Sequence, residues 1–196
     1  MGMGKELADN FKSARDVFEE VDEALGQKLT SLMFDGPMEE LTMTANAQPA
    51  LMASSLAVVN VLKTDFDVDL SKAKYFAGHS LGEYSALCAA GVVSLSDTAK
   101  LLRIRGNAMQ AAVPAGKGAM AALLGASLEQ ADECVKEGVK TGICQIANDN
   151  AIGQVVLSGE KSAIEAACEA AVTKAFRPAR MPVSYTHLTL PTILLV

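Results

Sequence analysis

The sequence predicts an α/β protein in two parts, and three observations carry that reading. An aromatic, apolar run, KYFAGHS (74–80), turns directly into a helix-like one, LGEYSALCAAG (81–91). Beyond PAGKG (114–118), short β-like and amphipathic segments alternate in the order strand, helix, strand, strand, helix, strand. Half of the 196 residues are hydrophobic, enough for a sizeable core and too many for general disorder. The length suits one domain or a domain with a subdomain.

The elements follow in order. From 5 to 25, Leu7, Phe11, Ala14, Phe18, Val21 and Leu25 recur at steps of three and four, one face of a helix, with Gly26 as its stop. TANAQPALMASSLAVVNVLKT (44–64) is apolar almost all round and predicts a buried helix, with Pro49 near its first turn. KYFAGHS reads as a strand and LGEYSALCAAG as a helix closed by Gly91. Ser94 and Asp97 have capping-box spacing, and the helix behind them runs to about Val113, before Pro114, with Leu95, Ala99, Leu102, Gly106, Met109 and Val113 as its stripe.

The second part is read as AMAALLG (119–125, strand), SLEQADECVKEGV (127–139, helix), CQIAN (144–148, strand), DNAIG (149–153, turn), QVVLSG (154–159, strand), EKSAIEAACEAAVTKA (160–175, helix) and FRPARMPV (176–183, strand). That βαββαβ order is the ferredoxin-like pattern, and it places a subdomain boundary near 116–117. No internal repeat or low-complexity segment is present.

Composition excludes several function classes. A formal net charge of -6 argues against non-specific nucleic-acid binding, which needs clustered Lys and Arg. Cys88, Cys134, Cys144 and Cys168 include no CxxC pair. They read as small core residues of a reducing compartment and not as a metal site or disulfide framework. There is no signal-peptide pattern and no run of about 20 apolar residues to span a membrane. Gly2 lacks the Ser or Thr at position 6 that myristoylation wants, since Glu6 stands there. These features predict a cytoplasmic protein.

GHSLG (78–82) sets Ser80 between Gly78 and Gly82 where the strand passes into the helix, the pattern of a nucleophile elbow. In so sharp a turn neighbouring side chains clash with the chain, so glycines flank the serine, and its hydroxyl is held out at the tip. The Leu81 N–H opens the following helix without an intrahelical partner and can hold an oxyanion, aided by the macrodipole. The plain alternative is an ordinary strand–turn–helix with a small polar residue.

Arg105 stands on its helix among Leu101, Leu102, Ala108 and Met109. A permanent charge there needs an anion or a route to water. It is either a carboxylate-binding residue, a snorkelling arginine, or one paired to a buried Asp or Glu. Arg103, with Ala99, Lys100, Gly106 and Asn107 around it, has an easier solvated face.

GHSLGEYSAL (78–87), AQPAL (47–51), RGNAMQAAVPAGKGAMAA (105–122), IANDNAIGQVVLSG (146–159) and MPVS (181–184) together resemble bacterial malonyl-CoA:acyl carrier protein transacylase, over about residues 2–184. The resemblance implies a hydrolase-like parallel-sheet subdomain (1–116) with an inserted ferredoxin-like small subdomain (117–184) and an active site between them. It implies a ping-pong reaction of fatty-acid biosynthesis. A seryl ester takes the malonyl group from CoA and hands it to the phosphopantetheine thiol of acyl carrier protein. No cofactor is implied, and the partners are malonyl-CoA and acyl carrier protein, with the enzyme a monomer. The Arg before this Gly binds the malonyl carboxylate in the family, which assigns Arg105, and a bidentate fork suits that task. Gln48, Asn148, Asn150 and Met120 fall in family-like segments as substrate-binding candidates. Their plain alternatives are a helix-start polar group, two turn formers and a core methionine.

The base is the missing part. His79 adjoins Ser80 and leaves the elbow in another direction. His187 is three residues past Ser184, where the family's histidine is four past, and residues 185–196 turn abruptly to Thr, Leu and Pro, which reads as a foreign tail. The family also begins with a strand and a glutamine-bearing motif ahead of the Gly-Met-Gly seen here at 2–4. The expectation is therefore a fragment, nearly inactive as written. An esterase-type serine hydrolase shares the elbow but has no use for Arg105, and a non-catalytic fragment that binds CoA or the carrier protein, or neither, is the third reading.

Overall fold

The structure, a computed structural model, describes residues 2–112, 117–174 and 177–181, the last as backbone only. Two compact units divide between Ala111 and Ala112. The expected boundary at 116–117 adjoins residues outside this description, and Val113, Pro114, Ser184, His187 and the 185–196 segment lie outside it altogether.

Among the described residues the first unit is helical: α1 (Lys5–Asn10), α2 (Lys12–Leu25), α3 (Leu29–Asp35), α4 (Met38–Leu41), α5 (Thr44–Thr64), a 3-10 turn (Leu70–Lys72), α6 (Leu81–Ala89) and α7 (Leu95–Ala112). The single helix expected over 5–25 is two. Phe11 is extended (φ -124°, ψ 123°), and Arg15 Nη1 donates to the Ala8 carbonyl at 2.7 Å, satisfying one of the groups that the end of α1 leaves open. Phe11 meets Phe66 with ring centroids 6.0 Å apart. Gly26 closes α2 in the left-handed conformation (φ 59°).

The α5 helix runs over the residues its pattern predicts and is buried on nearly every side, from Ala45 to Val61. Pro49 is its sixth residue, beyond the free N–H groups of the first turn. Ser94 Oγ accepts from the Asp97 N–H at 3.0 Å, as its spacing predicts, and starts α7. The core joins Phe18, Val21, Leu29 and Met33 to Met52, Ala53, Leu56 and Leu102, and Leu81 of α6 closes onto it.

One strand is not observed. Residues 74–79 enter no ladder; Tyr75 is 84% exposed and Ala77 and Gly78 are exposed. A strand exists through hydrogen bonds to a neighbour, and the described residues of this unit supply none. The parallel sheet expected in the first unit is therefore absent among them.

The second unit holds β1 (Gly118–Leu124), α8 (Leu128–Gly138), β2 (Cys144–Ala151), β3 (Gln154–Glu160), α9 (Lys161–Thr173) and β4 (Arg177–Met181). Its sheet has the order β2-β3-β1-β4, every pair antiparallel. Ala121, Leu123, Val155 and Leu157 point to the face that packs with Ala131 and Cys134 of α8 and with Ala163, Ile164, Ala167 and Cys168 of α9. None of the four cysteines is in a disulfide, and burial pushes the Cys134 and Cys144 thiols up. No helix among the described residues is long and apolar enough to cross a membrane.

Candidate active site

The site starts at the entry to α6. Ser80 precedes the helix at φ 58°, ψ -113°, a left-handed conformation that costs a non-glycine residue about 1–3 kcal/mol and persists only where the surroundings impose it. The Gly82 N–H bonds the His79 carbonyl at 2.9 Å and the Glu83 N–H bonds the Ser80 carbonyl at 3.2 Å, which winds the chain straight into the helix. The Leu81 N–H stands first in that helix, ahead of any intrahelical acceptor, while its side chain is buried at 6% exposure.

The two flanking glycines serve unequally. A Cβ on Gly78 would lie 1.9 Å from the Gly82 carbonyl oxygen, so only glycine fits there. A Cβ on Gly82 would meet nothing within 4 Å. The expectation that crowding requires both glycines is corrected: the turn crosses over Gly78 alone.

Arg105 reaches this turn from α7. Its Nη2 donates to Ser80 Oγ at 3.0 Å and its Nη1 to Gln48 Oε1 at 2.5 Å. The guanidinium carbon stands 5.9 Å from the centroid of the Tyr84 ring. No carboxylate pairs with Arg105 among the described residues. Gln48 is fully buried; its Nε2 donates to Thr44 Oγ1 at 2.8 Å and to Met109 Sδ at 3.3 Å. The helices can meet this closely because Gly106 has no side chain: a Cβ there would be 2.6 Å from the Ala45 Cα. The result is a cation held beside the hydroxyl of a serine with a strained backbone, next to a helix N–H that has no intrahelical acceptor.

Arg103 is half-buried, not solvated. It donates to Asn46 Oδ1 at 2.6 Å and Gln27 Oε1 at 2.7 Å, and burial lowers its pKa from the ordinary arginine value. Amides from two other segments cover it, which helix spacing could not reveal. His79 is exposed beside the turn. Asn148 lies in β2, within the strand expected over 144–148, and Asn150 lies there too and not in the turn expected over 149–153, because bulges at 146–148 and 149–151 carry the ladder onward. Asn150 Oδ1 is buried without a hydrogen bond among the described residues. Met120 pairs with Ser158 and Asn148 with Val156, rows that face away from α8 and α9.

Tyr84 and Thr44 were not singled out by sequence, and Met109 only as an apolar neighbour of Arg105. Each sits one helical turn from a residue that was: Tyr84 from Ser80, Thr44 from Gln48, Met109 from Arg105. The i,i+4 rule was the available signal. A cavity of about 740 Å³ elsewhere in the unit, lined by Leu56, Asn60, Phe76, Cys88 and Leu95 among others, includes none of Ser80, Gln48 or Arg105.

The chain is similar to known proteins over most of its length. The malonyl CoA-acyl carrier protein transacylase of Bacillus subtilis is 46% identical over 172 residues, covering 87% of this chain and 53% of that protein. The acyl-carrier-protein-S-malonyltransferase of Bartonella henselae superposes with a TM-score of 0.87 at 55% identity, covering 93% of this chain and 58% of that one. A malonyl-transacylase solved in complex with its type II PKS acyl-carrier protein matches at a TM-score of 0.85 and 40% identity, over 94% of this chain and 59% of that one. The chain thus spans a little over half the length of these relatives. The acyl transferase domain family matches residues 1–187, nearly the full length, and the chain belongs to that family.

Proposed function

We propose that this chain carries the nucleophile of a malonyl-CoA:acyl carrier protein transacylase serving fatty-acid biosynthesis in the cytoplasm, acting as a monomer. The observation that carries the proposal is Arg105, without a carboxylate partner among the described residues and with its Nη2 3.0 Å from Ser80 Oγ. A malonyl thioester brings both the carbonyl for Ser80 and the carboxylate for Arg105. An acetyl thioester brings only the first.

In the proposed reaction Ser80 Oγ attacks the thioester carbonyl of malonyl-CoA and loses its proton to a base outside the described residues. The Leu81 N–H holds the oxyanion. CoA leaves as its thiol, taking up that proton, and malonyl-Ser80 forms. The phosphopantetheine thiol of acyl carrier protein then attacks the ester and restores the serine. Arg105 binds the malonyl carboxylate throughout and so selects malonyl over acetyl, since a half-buried cation gains more from an anion than from an apolar methyl group. Gln48 holds Arg105, and Asn148, Asn150 and Met120 complete the proposed substrate-binding set on the resemblance alone. The same resemblance carries the proposal of a hydrolase-like parallel-sheet subdomain with a ferredoxin-like one inserted.

Intact-mass analysis after prolonged incubation with malonyl-CoA tests this. A malonyl adduct that Ser80→Ala abolishes supports acyl transfer. Malonate release without an adduct supports the esterase-type reading, and neither adduct nor release supports the non-catalytic one.

A further inference from the structure

The Gln48 carboxamide can be placed two ways, and only one is compatible with its surroundings. A guanidinium has donors and no acceptor, so Gln48 must turn its oxygen to Arg105. Its NH₂ then needs acceptors on the opposite side. Thr44 Oγ1 at 2.8 Å and Met109 Sδ at 3.3 Å are those acceptors. A thioether is a weak acceptor, and Met109 is 40% exposed, so the hydroxyl is the stronger of the two holds. Thr44 itself is 8% exposed and Gln48 fully buried, so water does not replace that hydroxyl easily.

Thr44 is fixed in its turn by the helix contact. It is the first residue of α5, its carbonyl oxygen would be 2.7 Å from a Cβ on Gly106, and Gly106 follows Arg105 in the chain. The close approach that lets Arg105 reach Gln48 therefore also sets the Thr44 backbone against α7.

From this arrangement we propose that Thr44 is a positioning residue for malonyl selection: its hydroxyl orients the Gln48 amide, which in turn aims Arg105 beside Ser80. It rests on the assignment of Arg105 as the ligand of the malonyl carboxylate. Thr44 acts through Gln48. Without its hydroxyl the amide turns between its two orientations, and in one of them an NH₂ faces the guanidinium and releases it.

The test uses the whole chain with ¹⁵N-labelled arginine, the Arg105 side-chain signals being assigned through Arg105→Lys. Held through Nη1 and Nη2, the wild-type guanidinium gives separate, slowly exchanging Nη signals. Thr44→Val keeps the shape and removes the hydroxyl, and those signals merge. Thr44→Ser restores them. The Val variant also loses about fivefold in malonyl-CoA affinity, the worth of one hydrogen bond, with acetyl-CoA affinity unchanged. Should the Val variant fail to fold, Thr44→Ser against Thr44→Ala gives the same comparison. Unchanged Arg105 signals in a folded variant lacking the hydroxyl overturn the proposal, as does a Ser variant that behaves like Val. If the signals respond as stated but wild-type Arg105 is perturbed equally by malonyl-CoA and acetyl-CoA, the orienting hold stands and the malonyl assignment of Arg105 fails.

Discussion

The two units treat similar apolar runs in opposite ways. In the second unit Gly118–Leu124 becomes β1, bonded to β3 on one side and β4 on the other, with Ala121 and Leu123 fully buried. In the first unit KYFAGHS (74–80) has the texture of a strand but no partner among the described residues, and Tyr75 is 84% exposed. A helix satisfies its hydrogen bonds within its own segment, whereas a strand borrows them from elsewhere in the chain. That is why α5 could be read from residues 44–64 alone while the strand before Ser80 could not. Even so, the turn that displays Ser80 is present, because it depends on local crowding at Gly78 and on the first turn of α6.

Substitutions sharpen this contrast. The largest loss is expected for Leu157→Ala in β3, fully buried between sheet and helices: about 2–5 kcal/mol in denaturant unfolding of the second unit. Next comes Gly78→Ala in the first unit, where the added methyl meets the Gly82 carbonyl and costs about 1–3 kcal/mol, with loss of the Ser80 conformation. Gly82→Ala, with open space around it and a helical position, is expected to be neutral or stabilising by up to about 1 kcal/mol. If Gly82→Ala destabilises as much as Gly78→Ala, the asymmetry of the elbow is wrong. Tyr75→Ser should change stability by no more than about 0.5 kcal/mol, and a loss comparable to Leu157→Ala would mean that residues 74–79 do pair as a strand.

The smallest effect belongs to an exposed pair on the second unit. Lys174 donates to Glu133 and holds that carboxyl below its ordinary value. A lowered folded-state value gives a contribution present above the ordinary carboxylate range and lost as pH falls through the lowered one. Lys174→Met should return Glu133 toward the ordinary range in an NMR titration, with any change in stability confined to acid pH and small, as befits an exposed pair.

Local chemistry made much of the site legible. Ser80, Leu81 and Arg105 announced themselves through a turn motif and through a charge among apolar neighbours, both readable within one or two helical turns. What escaped was set by distant parts of the chain. The break at Phe11 sets its ring against Phe66. The half-buried state of Arg103 depends on Gln27 and Asn46. Asn150 looks like a turn residue, yet a bulge against β3 keeps it in a strand. Gln48 was visible as a polar residue in an apolar helix, but that it holds Arg105 follows only from the contact of α5 with α7 at Gly106.

The central claim is that Arg105 recognises the carboxylate that distinguishes malonyl from acetyl. Calorimetric titration of the wild type and Arg105→Ala with malonyl-CoA and with acetyl-CoA tests it most directly. One charge-assisted pair is worth about 1.5–3 kcal/mol, so the substitution should lower malonyl-CoA affinity at least about tenfold and leave acetyl-CoA affinity as it was. Equal losses for the two thioesters would contradict the account and make Arg105 a structural residue.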